Sequence, residues 1–244
     1  MAGIGSQLLA LQARIDAAVR ASGRSLESVR LVAVSKTKPV AAIREAYAAG
    51  QRHFGENYVQ EMASKADELA DLPDIVLHFI GHLQRNKVKL AVRSASAVHT
   101  VDSARLAEEL GKRAADAPIP AARTFTSPGR TGVDDARLRV FAEVNVGGEA
   151  EKSGCAPADL SAVLDAIERA PALCLVGLMT VPPYTPDPRG ARPYFEALAT
   201  LRDSHGGPER LPELSMGMTH DLEEAIAAGA TIVRVGTAIF GGRG

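Results

Sequence analysis

Short apolar runs alternate with helix-like patterns along most of this chain. Residues 31–34 form a continuous apolar run that leads into Lys36, and Pro39 stands at the first turn of the next helical pattern. A run of this length is typical of a strand buried on both faces in a parallel sheet. The same pattern predicts eight strands, at residues 31–35, 53–57, 75–80, 97–101, 140–146, 173–181, 213–215 and 231–235.

The regular alternation of strands and helices indicates parallel strands joined by right-handed crossovers. Eight such units predict the α/β class and a single closed (β/α)8 TIM-type barrel. An extra amphipathic helix over residues 4–21 precedes the first strand, and few residues follow the eighth. We therefore expect the N-terminal helix to fill the place of an eighth outer helix. A doubly wound open sheet is the alternative, but the chain has neither a Gly-x-Gly-x-x-Gly motif after the first strand nor a Walker-type loop.

We predict one domain over residues 1–244. Residues 117–137 interrupt the pattern, because they are rich in proline, glycine and polar residues and show no periodicity. This segment is predicted to be an inserted surface loop.

Composition excludes several classes of protein. Apolar residues make up 46% and charged residues 23% of the chain, as in an ordinary globular protein. A net charge of −1 without long basic runs argues against nucleic-acid binding. No stretch has the length of a membrane span, and the first twenty residues do not resemble a signal peptide. Cys155 and Cys174 are not spaced as a metal or redox pair, so we predict a cytoplasmic protein.

In a barrel of this type all loops that follow the strands gather at one end, which we call the mouth. The first strand places Lys36 there. A partly desolvated lysine is a candidate nucleophile for a Schiff base, and the alternative is a lysine whose ammonium group simply reaches water.

The loops after the seventh and eighth strands of such barrels recurrently bind phosphate. Ser215, Gly217, Gly236 and Thr237 supply close backbone approach and hydroxyl donors at these two positions. Ordinary tight turns are the alternative. We expect this phosphate cradle to face Lys36 across the mouth. A phosphorylated carbonyl compound held as an imine would suit that arrangement, and both a sugar phosphate and pyridoxal 5′-phosphate (PLP) qualify.

Several motifs together resemble one family. They are VAVSKTKP at 32–39, FGENYVQE at 54–61, HFIGHLQ at 78–84, GLM at 177–179, LSMGM at 214–218 and RVGTAIFG at 234–241. In this order they resemble the pyridoxal phosphate homeostasis proteins, which are related to the N-terminal barrel of alanine racemase. The chain departs from the family pattern at Leu77, where a tryptophan is frequent, and at His220, where an acidic residue is usual.

The resemblance implies that PLP is bound as an internal aldimine on Lys36. It also implies phosphate contacts from Ser215, Gly236 and Thr237, and a pocket position for Asn57. Arg234 would lie near the pyridine nitrogen, and it precedes Gly236 by two residues, so strand alternation directs both inward. A protonated arginine leaves that nitrogen unprotonated and weakens the ring as an electron sink.

Racemisation needs an acid or base on each side of the substrate carbon. In the racemases a second domain contributes the partner tyrosine, and this chain ends at Gly244 with no tyrosine predicted at the mouth. We therefore assign no catalytic residue and predict a protein that buffers or delivers PLP without robust turnover. A PLP-dependent amino-acid racemase is the main alternative, and the others are an imine-forming aldolase and a barrel that serves only protein contacts.

We further expect a monomer that makes transient contact with PLP-dependent apo-enzymes. No metal site is predicted, because His78 and His82 fall on a strand and its loop, too far apart to share an ion.

Overall fold

A computed structural model of the chain describes residues 3–117, 137–149 and 151–242. Apart from its two end residues, the predicted loop 117–137 lies outside these ranges. Eight parallel strands follow one another around a closed barrel in chain order. They are β1 (Arg30–Val34), β2 (His53–Glu56), β3 (Val76–Phe79), β4 (Ala97–Val101), β5 (Leu138–Glu143), β6 (Leu173–Met179), β7 (Glu213–Ser215) and β8 (Ile232–Val235).

Direct pairing of β8 with β1 closes the barrel. Arg30 pairs with Ile232, and Val32 pairs with Arg234. The predicted (β/α)8 barrel is therefore confirmed, and the open sheet is excluded. Closure also makes one expectation wrong: Lys36 and the loop after β8 do not face each other across the mouth, because their strands are neighbours.

Ten α-helices surround the barrel within the described residues. They are α1 (Ile4–Ala21), α2 (Val40–Ala48), α3 (Val59–Glu68), α4 (Val88–Ser94), α5 (Ala104–Ala115), α6 (Leu160–Glu168), α7 (Arg192–Ser204), α8 (Gly207–Arg210), α9 (Leu222–Ala227) and α10 (Thr237–Phe240). Helix α10 is a single turn in the place of an eighth outer helix. Helix α1 packs against α2, α9 and α10, so the N-terminal helix fills the gap in the ring as predicted.

The strand boundaries differ from the predicted ones mainly at β5. This strand begins at Leu138, two residues before the predicted start, because Arg139 interrupts the apolar pattern although its side chain is buried. It ends at Glu143, since Val144 forms only an isolated bridge with Cys155.

Two unequal regions are buried on the two sides of the barrel wall. The large apolar core lies between the strands and the helices. A much smaller apolar cluster, with Val32, Phe141, Met179 and Ile232 among its members, has the strand positions that alternate with that core. Buried polar and charged residues occupy many other strand positions, including His78, His99, Arg139, Glu143, Glu213, Ser215 and Arg234. The barrel interior is therefore largely polar, and several of these polar side chains belong to the site described below.

Within the described part of the chain, none of the helices combines the length and the apolar character that crossing a membrane requires.

Candidate functional site

Lys36 lies immediately beyond β1 at the mouth and is half-buried. It follows Val32 by four residues, and Val32 belongs to the interior cluster. Continued alternation would place Lys36 on the same side, and because β1 ends at Val34 the inward direction of Lys36 stays a prediction.

In the loop that carries Lys36, the two residues that follow the lysine are held by hydrogen bonds to other parts of the chain. Thr37 has a φ of 62°, the left-handed region that side chains with a β-carbon rarely adopt, and its backbone N–H donates to Glu61 Oε1 at 2.6 Å. Lys38 Nζ donates to the carbonyl oxygens of Phe240 at 3.1 Å and Gly242 at 2.8 Å. These bonds fix the backbone around Lys36 in a conformation that costs energy on its own.

A buried ion cluster on the helix side of the wall supports the same loop. Lys65 of α3 is only 4% exposed. Its ammonium group donates to the Ser35 carbonyl at 2.8 Å, to Glu56 Oε1 at 2.7 Å and to Glu61 Oε1 at 2.6 Å. Burial raises the pKa of Glu56, and the hydrogen bonds from Lys65 and Ser35 oppose that rise. The Glu56 carboxylate therefore anchors the lysine loop from outside the barrel.

Asn57 follows β2 at the mouth and is half-buried. Its Oδ1 atom is buried and has no hydrogen-bond partner among the described residues. The loop after β3 packs tightly against the Asn57 backbone, because a β-carbon added at Gly81 would lie 2.0 Å from the Asn57 carbonyl oxygen. Glycine at 81 thus allows two mouth loops to touch.

The loops after β7 and β8 bring the remaining predicted residues to the mouth. Gly236 lies against β1, since a β-carbon there would approach the Val34 carbonyl oxygen to 2.9 Å. Thr237 is exposed at the start of α10. Gly217 has a φ of 92° and packs against Ala225, so this position requires glycine for the turn itself.

Arg234 lies inside the barrel, with 4% of its surface exposed. Its Nη1 donates to Ser215 Oγ at 2.7 Å, and its Nη2 donates to the Thr180 carbonyl at 2.9 Å. Burial lowers the Arg234 pKa to about 10, while the negative charges of Glu143 and Asp221 oppose that fall. The guanidinium therefore remains protonated at neutral pH, as the sequence-based interpretation requires.

The Ser215 hydroxyl is fully buried between two side chains. It accepts from Arg234 and lies 2.8 Å from His99 Nδ1. Its contact with a phosphate stays a prediction. In the structure the Ser215 hydroxyl instead accepts a hydrogen bond from Arg234.

Glu143 was not recognised in the sequence, although an acidic residue at the end of an apolar strand is a detectable signal. Its side chain is 5% exposed, and its Oε2 atom has no hydrogen-bond partner among the described residues. Burial, with the negative charge of Asp102, raises the Glu143 pKa to about 7, and Arg234 opposes this shift. The interior below the mouth thus contains a carboxyl group that can change protonation near neutral pH.

The two histidines that were considered as a metal pair are separated. His78 is fully buried inside the barrel, whereas His82 is exposed and lies 3.7 Å from Asp102 Oδ2. In the ranges that the structure covers, no three His, Cys, Asp or Glu side chains are grouped as metal ligands.

The closed parallel barrel, with a half-buried lysine just beyond β1 and a buried arginine on β8, is the arrangement of the alanine racemase N-terminal domain class, to which the family comparison assigns the chain. The family model described as "Alanine racemase, N-terminal domain" matches residues 7–244. A pyridoxal phosphate homeostasis protein from Pseudomonas aeruginosa is 45% identical over 244 residues, and the match covers 100% of this chain and 97% of that protein. A protein of the same name from Aquifex aeolicus is 43% identical, with 94% of each chain covered. The chain belongs to the pyridoxal phosphate homeostasis protein family.

A solved structure agrees with this assignment. PipY of Synechococcus elongatus PCC7942, solved with PLP bound, is 38% identical and superposes with a TM-score of 0.78. The match covers 98% of this chain and 100% of PipY. The family resemblance of the motifs is therefore confirmed over nearly the whole chain.

Replacing Lys65 with methionine is expected to lower the free energy of unfolding by about 3 kcal/mol, because it leaves the Glu56 carboxylate buried without its cation. Chemical denaturation measures this change. The exposed Lys89→Met variant on α4 is the matched control and should lie within about 0.5 kcal/mol of wild type.

The pH dependence of the stability of Lys65→Met provides a second test of the same variant. Without Lys65 the Glu56 pKa rises further in the folded protein than in the unfolded chain, so the variant loses stability as the pH rises above about 4.5. A destabilisation that is equal at pH 5 and pH 8 would contradict the buried pair.

Glu143→Gln is expected to change how stability depends on pH. The folded-state pKa of Glu143 is raised from 4.5 to about 7, so the wild-type protein loses stability as the pH rises through this interval, on the order of 3 kcal/mol in total. The free energy of unfolding of the variant should no longer fall between pH 4.5 and pH 7, as measured by denaturation at several pH values. Surface Glu27→Gln serves as the control and should keep that fall.

Proposed function

We propose that this protein binds PLP at the mouth of the barrel, with Lys36 as the point of covalent attachment, and that it buffers or delivers the cofactor inside the cell. The observation that carries the proposal is the combination of a half-buried lysine just beyond β1 with a buried, protonated arginine on the neighbouring strand β8. PLP offers an aldehyde that condenses with an amine, together with a ring nitrogen and a phosphate that need separate partners.

The residues at the mouth fit such a ligand. Asn57 presents a buried oxygen that has no partner among the described residues, which is consistent with a pocket that a polar ligand completes. Lys36 and Arg234 provide positive charge for an anionic ligand. Gly236 has no side chain and lies directly against Val34, so a ligand can approach its backbone closely where β8 meets β1.

Each predicted residue has a role in this proposal. Lys36 holds the cofactor and Arg234 donates toward the ring nitrogen, while Asn57 lines the pocket. Gly236 and Thr237 contact the phosphate. Ser215 and Gly217 complete the same cradle, Gly217 through the backbone turn that it permits and Ser215 mainly through Arg234.

The names of the relatives support a role in cofactor homeostasis. The relatives from Pseudomonas aeruginosa and Aquifex aeolicus are both named for pyridoxal phosphate homeostasis and not for an enzymatic reaction. PipY was solved with PLP bound.

Absence of robust turnover is part of the proposal. Because the Arg234 pKa is about 10, this side chain can donate a hydrogen bond at neutral pH but cannot protonate a pyridine nitrogen readily. The ring is then a poor acceptor of electrons, and carbanion chemistry is slow. We also propose a cytoplasmic, monomeric, single-domain protein that meets PLP-dependent apo-enzymes transiently.

The attachment site is tested with Lys36→Ala. The purified wild-type protein incubated with PLP should show a visible absorption band, and borohydride should fix the cofactor onto the peptide that contains Lys36. The variant should lose both the band and the labelled peptide, because alanine has no amine. Lys89→Ala on the outer surface is the control and should retain them. Unchanged labelling of the Lys36→Ala variant would show that the assignment is wrong.

The lack of turnover is tested by racemisation of alanine and serine. We expect no steady conversion by the PLP-loaded protein, measured by chiral chromatography over hours. Conversion that scales with protein concentration and disappears in Lys36→Ala would favour the racemase alternative.

A further inference from the structure

Three histidines form a continuous hydrogen-bonded chain inside the barrel. His53 Nδ1 lies 2.9 Å from His78 Nε2, and His78 Nδ1 lies 2.9 Å from His99 Nε2. His99 Nδ1 then contacts Ser215 Oγ at 2.8 Å, and Arg234 Nη1 donates to that oxygen at 2.7 Å. The His99 ring is also stacked on Phe141 with a centroid distance of 4.0 Å, which restricts its rotation.

Arg234 determines the direction of this chain. A guanidinium can only donate, so the Ser215 oxygen accepts from Arg234. Ser215 has a single hydroxyl hydrogen, and donating it to His99 Nδ1 leaves both groups satisfied. If the chain ran in the opposite direction, two N–H groups would meet at Ser215 Oγ, and the hydroxyl hydrogen would need another acceptor.

The remaining protons follow from this first assignment. A neutral imidazole carries one N–H, so His99 bears its hydrogen on Nε2 and donates to His78 Nδ1. His78 in turn donates from Nε2 to His53 Nδ1. All three rings are thus predicted to be in the Nε2–H tautomer.

The same geometry requires neutral rings. Both nitrogens of His78 face a neighbouring ring. If His78 were protonated, its Nδ1–H would point at the Nε2–H of His99, and two donors would meet. Burial lowers the pKa of His78 and His99 well below the usual range and that of His53 to about 3. Positive charges of Arg30 and Arg139 act on His53 and His78, and those of Arg30 and Arg234 act on His99, all in the same direction.

We propose that His53, His78 and His99 are positioning residues for Arg234. By accepting the Ser215 hydroxyl hydrogen at His99 Nδ1, the chain turns the Ser215 oxygen toward Arg234 and holds the guanidinium in one orientation, with its other donors available to the ring nitrogen of the bound cofactor. The inference rests on the proposed function for the identity of that cofactor, whereas the proton arrangement of the chain does not depend on it.

The proton arrangement is tested in the cofactor-free protein by long-range ¹H–¹⁵N spectra of ¹⁵N-histidine-labelled samples. The expected result is a single Nε2–H tautomer for all three residues, with chemical shifts that do not change between pH 5 and pH 8. An Nδ1–H tautomer at His99, or a protonated ring at any of the three positions between these pH values, would overturn the proposal.

Ser215→Ala separates the histidines from Arg234 with little change in volume. His99 is then expected to lose its single tautomer and to show shifts averaged between the two forms. His205→Gln, outside the barrel, is the control and should leave the three signals unchanged. Retention of the pure Nε2–H form of His99 in Ser215→Ala would show that Arg234 does not set the direction.

The effect on the cofactor is tested with His78→Leu, which breaks the chain without contacting Arg234. The dissociation constant for PLP is expected to rise roughly tenfold, the effect of one weakened hydrogen bond to a charged group. A folded variant with wild-type affinity would overturn the positioning role. If this variant does not fold, the PLP affinity of His53→Leu decides the question with the same two outcomes, because His53 is the end of the chain that is furthest from Ser215 and Arg234. A wild-type protein that binds no PLP would refute the proposed function, and the tautomer measurement would still decide the proton arrangement.

Discussion

Burial of the Arg234 guanidinium inside the barrel is the constraint on which the mouth of this protein depends. Removing a cation from water costs several kcal/mol unless its N–H groups and charge are compensated. Ser215 and the Thr180 carbonyl accept two of its hydrogen bonds, and Glu143 and Asp221 supply negative charge nearby. The polar interior follows from this requirement, because an apolar barrel could not hold the arginine.

A second buried cation acts on the other side of the barrel wall. Lys65 donates to the Ser35 carbonyl and to two carboxylates, and it thereby fixes the backbone of the residue that precedes Lys36. Arg234 lies on β8 inside the barrel, whereas Lys65 bonds Glu56 of β2 and the residue that follows β1 from outside. Both parts of the proposed site are therefore ordered before a ligand arrives, which reduces the entropy that binding must overcome.

The sequence predicted the elements of the fold well because their signals are local. Apolar runs located most of the strands, the alternation with helix-like patterns located β2 and β7, and the inward position of Arg234 followed from its spacing to Gly236. The relative position of Lys36 and Gly236 was predicted wrongly, although the predicted closed barrel by itself makes β8 the neighbour of β1. Lys65 was not recognised because a lysine on an amphipathic helix normally faces water. The histidine chain could not be predicted either, since its members come from three strands and meet through ring orientation.

The pairing of β1 with β8 joins the two ends of the chain, so different parts of the site become ordered at different stages of folding. Lys65 bonds the carbonyl of a residue 30 positions away, whereas Lys38 bonds the carbonyl of Phe240, 202 positions further along the chain. Contacts between distant segments form late in folding, because closing a long loop costs entropy before any bond repays it. The Ser35 end of the lysine loop, which Lys65 holds, can therefore become ordered while the strand that carries Arg234 is still undocked. Under the proposed function, the amine of Lys36 is present during that interval, and the arginine proposed to face the pyridine ring joins it only when the last strand docks.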